Sequence, residues 1–375
     1  MTLPNDRDLR VLALCVFPIE GAATRFRVEQ FVGPLRDRGV EMTVSPFLDS
    51  RQFRQLYRKG GVAGKAAGMI GPVLRRLGEV FTAGRYDAVF VQREAMLFGP
   101  GVVEWLMANI GGRPLVLDLD DATYVRYVSP TYGRLGSFFK FFGKTDNLIK
   151  RASAVVCGNR FIAEYAGSKG AKTVVVPTVV DLDEFRPRDL TPEGETVTLG
   201  WIGTPSTFPS LESIFPVLER LAKKHRFVLK VVGAGKSDIR IDGVMVENLE
   251  WELGRELSDF RYLDVGLYPI VTSRSADERW LQGKSGFKAI QYLAVGIPFA
   301  MSPVGVCAEI GEANVTHFNA ESAEDWYNSL DELLSNGDLR SRMGAAGRKY
   351  ALANYGLEKQ ADLLAEVLKD VVRRK

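Results

Sequence analysis

The sequence predicts an α/β protein of two domains, each built on a parallel sheet with helices on both faces. Three observations carry this. Short apolar runs that read as strands alternate with stretches of helical periodicity, as in sheets covered on both sides. A strand, a glycine-bearing loop and a helix open the chain at residues 11–35, and the same order returns at residues 197–221. Between the halves lies 188–196, polar and with Pro192 and Gly194, which reads as a linker. A chain of 375 residues is long enough for two cores.

Composition narrows the class. Hydrophobic content of 46% and charged content of 25% are ordinary for a globular protein, and a net charge of +3 is too small to indicate nucleic acid. Cys15, Cys157 and Cys307 sit in apolar or strand-like runs without metal-ligand spacing. They read as reduced, buried thiols, which points to the cytoplasm. The N-terminus lacks the basic-then-apolar layout of a signal peptide, and no apolar run approaches the ~18 residues of a membrane span.

In the first half, residues 11–17 form a continuous apolar strand, and Val28, Phe31, Val32 and Leu35 then recur at helical spacing until Gly39. No G-x-G-x-x-G fingerprint accompanies them. Arg25 and Arg27 stand at the loop-to-helix junction, on the side of the sheet where ligands bind. They could hold an anionic acceptor; equally, one could pair with a carboxylate and the other be solvated. Residues 40–46 are a second strand. From 51 to 76 there are seven basic residues (Arg51, Arg54, Arg58, Lys59, Lys65, Arg75, Arg76) and no acid. Met69, Ile70, Val73, Leu74, Leu77, Val80 and Phe81 follow helical periodicity. Such a segment is either a packing helix with a basic solvent face or a helix that lies on an anionic membrane.

Residues 87–91 are a third strand, ending at Gln92, Arg93 and Glu94, with Arg93 a further acceptor-side candidate. Residues 115–121 run from an apolar strand into Asp118, Asp120 and Asp121, at the strand end where α/β folds place chemistry. Alternation puts Asp118 and Asp120 on one face and Asp121 on the other. Helix capping, or pairing with Arg93 or Arg25, would explain them; so would a catalytic carboxylate or a metal pair. With His225 and His317 in no motif, a histidine catalyst is not expected. Residues 137–144 mix aromatics with lysines and suit an acceptor cleft or lipid, with at least two of the four rings expected in the core. Residues 154–157 and 173–176 are further strands, with a helix between them.

The second half repeats the pattern. The Gly203-Thr204 turn would let backbone amides approach a phosphate, and strand 227–232 ends in Gly233. Strand 265–270 leads into residues 277–298: a charged loop, a glycine-bounded turn and a helix beginning at Phe287. Gly296 occupies the position past the helix where a left-handed residue is usual, and Pro298 forbids continuation. A helix start presents unpaired N–H groups. Lys284 just before it and Lys288 on its first turn make a diphosphate seat, or are two solvated lysines flanking a packing helix. Residues 357–372 are a final helix.

Residues 283–305 resemble the donor-binding signature of glycosyltransferase family 4, which has the two-domain GT-B fold. Gln291-Tyr292-Leu293-Ala294-Val295-Gly296-Ile297-Pro298 matches that signature's tail, whereas Gly283 and Gln291 stand where the family carries two glutamates. The likeness is strongest over 197–309, moderate over 86–187, and weak at 51–81 and 125–150. It implies two Rossmann-like domains facing across a cleft: 1–190 for the acceptor, 191–355 for the nucleotide sugar, and a helix at 356–375 returning to the first domain. It implies a retaining glycosyltransferase that moves a sugar from a nucleotide-diphosphate sugar to a glycan or lipid-linked acceptor; the basic segment 51–76 would dock it peripherally on the inner face of an anionic membrane. The donor would meet Gly203, Thr204, Gly233, Lys284, Gly286, Phe287, Lys288 and Gln291, with Gln291 taking hydroxyl contacts normally made by an acid. Asp120 would act near the anomeric carbon with Asp118 and Asp121 in support. Arg25, Arg27 and Arg93 would face the acceptor. No cofactor or metal is expected, and no nucleic acid. An epimerase or hydrolase on the same fold, or a non-catalytic binding subunit, are the rival expectations.

Overall fold

This computed structural model describes residues 8–56, 64, 67–126, 138–187, 196–271 and 278–374. Arg58, Lys59, Lys65, Ser137, Asp277 and linker residues 188–195 lie outside them. The chain divides into two compact units: Met1–Val179 with Ser275–Ser285 and Leu357–Lys375, and Val180–Arg274 with Gly286–Gly356. The second unit thus begins at Val180, and a short piece of the later sequence belongs to the first.

The first unit holds a sheet of strands β1 (Leu9–Cys15), β2 (Val40–Pro46), β3 (Ala88–Gln92), β4 (Leu115–Leu119), β5 (Ala154–Cys157) and β6 (Thr173–Val175), in the order β2-β1-β3-β4-β5-β6. Every pairing in it is parallel. Its central strands are apolar except near their ends because helices cover both faces, and Val11, Leu14, Val89, Val91, Leu117 and Val155 are all buried. The strand order reverses beside β1, so the crevice beyond the C-terminal ends of β1 and β3 is where such a sheet receives a ligand.

The second unit repeats the plan with β7 (Val197–Ile202), β8 (Phe227–Val232), β9 (Met245–Leu249), β10 (Val265–Tyr268), β11 (Phe299–Met301) and β12 (Phe318–Asn319), ordered β12-β11-β10-β7-β8-β9. Here the order reverses between β7 and β10. The helix Leu357–Arg373 belongs to the first unit, where Arg38 binds Asp362 at 2.6 Å and Lys172 pairs with Asp370. Among the described residues no helix is long and apolar enough to cross a membrane. All three cysteines are free and buried, and burial pushes the Cys15 and Cys157 thiols up to about 12.

Two sequence expectations need correcting. The helix Ile70–Thr82 does not bury the whole apolar stripe: it buries Pro72, Arg76 and Val80, while Ile70, Leu74 and Phe81 are 62%, 63% and 90% exposed. Arg76 lies inside because Glu79 pairs with it at 2.6 Å and the Cys15 and Ser45 carbonyls accept from its other nitrogen at 3.0 Å. It is not a surface charge. Of the rings at 138–142, Phe142 alone is buried; Phe138, Phe139 and Phe141 are exposed, with Phe138 in contact with the other two.

Candidate functional site

In the first unit the chemistry gathers beyond the ends of β1, β3, β4 and β5. Register places Gln92 opposite Asp118, so the polar ends of β3 and β4 lie side by side. Asp118 is buried, and Arg27, from the helix Ala22–Arg27 that follows β1, grips both its oxygens: Nε donates to Oδ2 at 3.1 Å and Nη2 to Oδ1. Arg27 also donates to the Val176 carbonyl at 2.6 Å and is only 2% exposed. It forms an internal ion pair, and the rim falls to Arg25, whose Nη1 donates to the Ile19 carbonyl at 2.8 Å.

Arg93 joins the other two carboxylates. Its Nε donates to Asp120 Oδ1 at 2.5 Å, and its Nη2 donates to Asp120 Oδ2 at 2.6 Å and to Asp121 Oδ2 at 2.7 Å. Alternation would have parted Asp120 from Asp121; the chain leaves the strand after Leu119, and one guanidinium spans both. Gln92 adds a donor to Asp120 Oδ1 at 3.3 Å.

The three carboxyls differ in ionisation. Burial pushes Asp118 above its ordinary value, against the pull of Arg27. Burial opposes ionisation of Asp120 too, but Arg93 and then Arg27 outweigh it and hold the group below the usual carboxylate range. Asp121 is raised, first by burial and further by the charge on Asp120, with Arg93 and Lys284 pulling the other way. A low and a raised carboxyl on one guanidinium can hold a charge and a proton side by side.

A strap from later in the sequence completes this unit. The Ser285 amide donates to Asp121 Oδ1 at 3.2 Å. Asn159 Nδ2 donates to the Gly283 and Lys284 carbonyls at 3.3 and 3.2 Å, and Lys284 Nζ lies over the Trp280 ring at 4.2 Å. Asn159 escaped the sequence reading. An asparagine before a helix signals a cap, and its Oδ1 does accept from Ile162 N at 2.9 Å, but nothing local announces its second engagement.

In the second unit the helix Phe287–Val295 is bracketed by glycines in the left-handed region, Gly286 at φ +63° and Gly296 at φ +68°, which a side chain would strain. No side chain caps its start. Lys288, on the first turn, donates from Nζ to Gln291 Oε1 at 3.3 Å. Gln291 is fully buried, and its Nε2 has no hydrogen-bond partner among the described residues. An orphaned buried donor beside a lysine and an uncapped helix start is a place for an oxygen-rich, anionic group.

The other donor-side candidates look different. The Gly203 amide donates to the Val232 carbonyl at 3.0 Å and the Thr204 amide to Thr207 Oγ1 at 3.0 Å, so both turn amides are engaged. Glycine is required at 203 by packing, since a Cβ would meet the Trp201 ring at 2.2 Å, and at 233, where it would meet the Gly203 carbonyl at 2.5 Å. What this turn exposes is hydroxyl, from Thr204 and Ser206.

This architecture, two parallel six-stranded sheets each flanked by helices, is that of the GT-B glycosyltransferases. Among solved structures the chain is similar to a glycosyltransferase from Rickettsia africae, with 15% identity and a TM-score of 0.67 over 98% of this chain and all of that one. It is similar to HepE from Anabaena in complex with UDP-glucose, with 15% identity and a TM-score of 0.66 over 96% of this chain and all of that one. Sucrose-phosphate synthase from Thermosynechococcus elongatus matches at 12% identity and a TM-score of 0.67, over 98% of this chain and all of that one. No protein-family model matches the chain, and no curated protein matches its sequence.

Proposed function

We propose that the chain is a retaining glycosyltransferase that moves a sugar from a nucleotide-diphosphate sugar to a glycan or lipid-linked acceptor. The observation that carries this is the start of the helix Phe287–Val295, where Lys288 and the orphaned Nε2 of Gln291 accompany an uncapped turn. HepE, with the same architecture, was solved with UDP-glucose, which favours a nucleotide sugar as the occupant. Lys284 lies four positions before Lys288, so chain connectivity keeps their backbones within about 14 Å. The two ammonium groups and the helix start would stabilise charge on the departing diphosphate, and Gln291 would donate to a sugar or ribose hydroxyl.

In the transfer, the bond from C1 to the diphosphate breaks and its electron pair leaves with the diphosphate. The acceptor oxygen bonds C1 on the same face and gives its proton to a phosphate oxygen. Asp120 is a poor base for that proton, being held ionised by Arg93; its role is to polarise and orient. No metal enters this reading. The positive charge at the leaving group comes from lysines, and both oxygens of Asp118, first acid of Asp118-Leu119-Asp120, a D-x-D sequence of the kind that can bind a metal, are occupied by Arg27.

We further propose that the acceptor is met at an anionic membrane surface on the cytoplasmic side, the protein binding peripherally through Ile70, Leu74 and Phe81, with Arg51 and Arg54 from earlier in the sequence adding charge. Absence of the family's two glutamates favours a second reading, a non-catalytic sugar-nucleotide-binding subunit. One experiment separates them: calorimetry with UDP, GDP, ADP and their sugars, then anomeric analysis of any product. Binding with retention of configuration supports the transferase. Binding without turnover supports the subunit, and binding of none ends both.

A further inference from the structure

The residues just before the helix Phe287–Val295 are held at successive backbone positions by groups at the ends of β4 and β5. The Gly283 and Lys284 carbonyls accept from Asn159 Nδ2, and the Ser285 amide donates to Asp121 Oδ1. Gly283 lies so close to Ala122 that a Cβ there would meet the alanine's own at 2.3 Å. The strap is therefore fixed in register as well as in place, and it carries Lys284.

Asn159 is 3% exposed and uses both ends of its side chain. Oδ1 caps the helix Arg160–Ser168 through Ile162 N, while Nδ2 reaches the strap, 124 and 125 residues away in sequence. An amide is suited to this because it accepts at one end and donates twice at the other. A carboxylate would keep the cap but set a negative charge against two carbonyls.

We propose that Asn159 is a positioning residue for the transfer reaction: it fixes the main chain at Lys284, and through it the ammonium that meets the diphosphate. This rests on the reading of Lys284 as a diphosphate contact. A lysine on a loose strap must be ordered when the donor binds, and that ordering is subtracted from affinity. Asn159 settles it beforehand.

Asn159→Asp tests this, because aspartate is as good a helix cap as asparagine. The buried carboxylate should lower the melting temperature. Asn159→Ser, which keeps a cap and adds no charge, is therefore measured beside it and should show the same loss of affinity with a melting temperature near that of the wild type. Affinity for the free nucleoside diphosphate that the wild type binds best among UDP, GDP and ADP should fall about tenfold, as for the loss of two hydrogen bonds. The donor KM should rise by more than kcat falls. In a Lys284→Ala background the same substitution should change affinity no further, since the two act as one unit. In the ligand-free protein, hydrogen exchange should quicken at residues 283–285 and stay unchanged in the helix Arg160–Ser168. Wild-type affinity in Asn159→Asp, or full additivity with Lys284→Ala, overturns the positioning role; unchanged exchange at 283–285 overturns the anchoring. If the wild type binds no nucleoside diphosphate, the transferase reading fails and the proposal with it, even where the exchange result holds.

Discussion

Arg93 donates to both oxygens of Asp120, at 2.5 and 2.6 Å, from a backbone held at φ +63°. A long side chain in the left-handed region costs on the order of 1 kcal/mol or more. The conformation persists because the Arg93 amide donates to the Asp118 carbonyl at 2.8 Å and the guanidinium reaches Asp121 as well. Backbone and side chain together fasten β3 to the end of β4.

Replacing Arg93 with asparagine, which tolerates this backbone region, should therefore raise the pKa of both Asp120 and Asp121. Carboxyl-carbon NMR on aspartate-labelled protein reads this directly. In the wild type, Asp121 should take up its proton before Asp120 as pH falls. The sign for stability follows from the depressed value of Asp120: its contribution is present above the unfolded value of about 3.9 and is lost as pH falls through the folded one. Wild type should thus exceed Arg93→Asn in stability at neutral pH, with the gap closing in acid. A constant gap from pH 7 to 3 would show that Arg93 does not hold the Asp120 charge.

The Arg27–Asp118 pair predicts a different response. Leaving either charge buried without its partner costs about 3–5 kcal/mol, whereas replacing both with apolar residues of similar volume is often neutral. Asp118→Ala should lower the unfolding midpoint sharply, and Arg27→Met/Asp118→Leu should recover most of the loss. Activity that survives a chelator would agree with Asp118 serving as a strut; activity lost to the chelator and restored by magnesium or manganese would return the D-x-D sequence to a metal role.

The legible parts of this molecule were local. Strand β2 and the start and stop of the helix Phe287–Val295 fall where the sequence puts them, because glycine, proline and periodicity act over a few residues. Pairing partners were not legible. Arg27 meets Asp118 across 91 residues, and which arginine reaches which carboxylate is decided by the β2-β1-β3-β4 order. The buried face of Ile70–Thr82 is decided in the same way: Arg76 can sit inside only because β1 and β2 turn the Cys15 and Ser45 carbonyls toward it. Engaged amides at Gly203 and Thr204 were equally invisible, as one partner lies on β8 and the other is a threonine hydroxyl.

At the proposed donor seat, Lys284→Ala and Lys288→Ala should each cost about 2–4 kcal/mol of transition-state stabilisation, roughly a 30- to 10³-fold fall in rate. Gln291→Glu tests the orphaned amide. A carboxylate there loses the free donor but gains an ion pair with Lys288, so donor KM should change while the fold is kept. Near-native activity and donor affinity in both lysine variants would show that the seat lies elsewhere.

Membrane attachment would rest on apolar side chains as much as on charge. Arg76 cannot serve, being buried on Glu79, and Arg75 Nη2 is engaged by the Pro46 and Phe47 carbonyls at 2.7 Å each. Reversing their charges would damage the fold and say nothing about lipid. Ile70, Leu74 and Phe81 do face solvent, and Arg51 and Arg54 are exposed on the helix Ser50–Leu56. Burying one large apolar side chain gives about 1.5–3 kcal/mol, and each basic residue near an anionic leaflet about 1 kcal/mol. Together these suffice for reversible attachment that weakens with salt. The wild type should therefore sediment with anionic vesicles and less with neutral ones. Leu74→Ser/Phe81→Ser should reduce both, whereas Arg51→Glu/Arg54→Glu should reduce the anionic fraction alone. All four side chains are exposed, but Arg54 pairs with Glu20 at 3.6 Å, so the melting temperature should hold in the serine variant and fall slightly in the glutamate variant. Equal recovery in the supernatant for wild type with either vesicle at low salt would end the membrane reading and leave the donor site untouched.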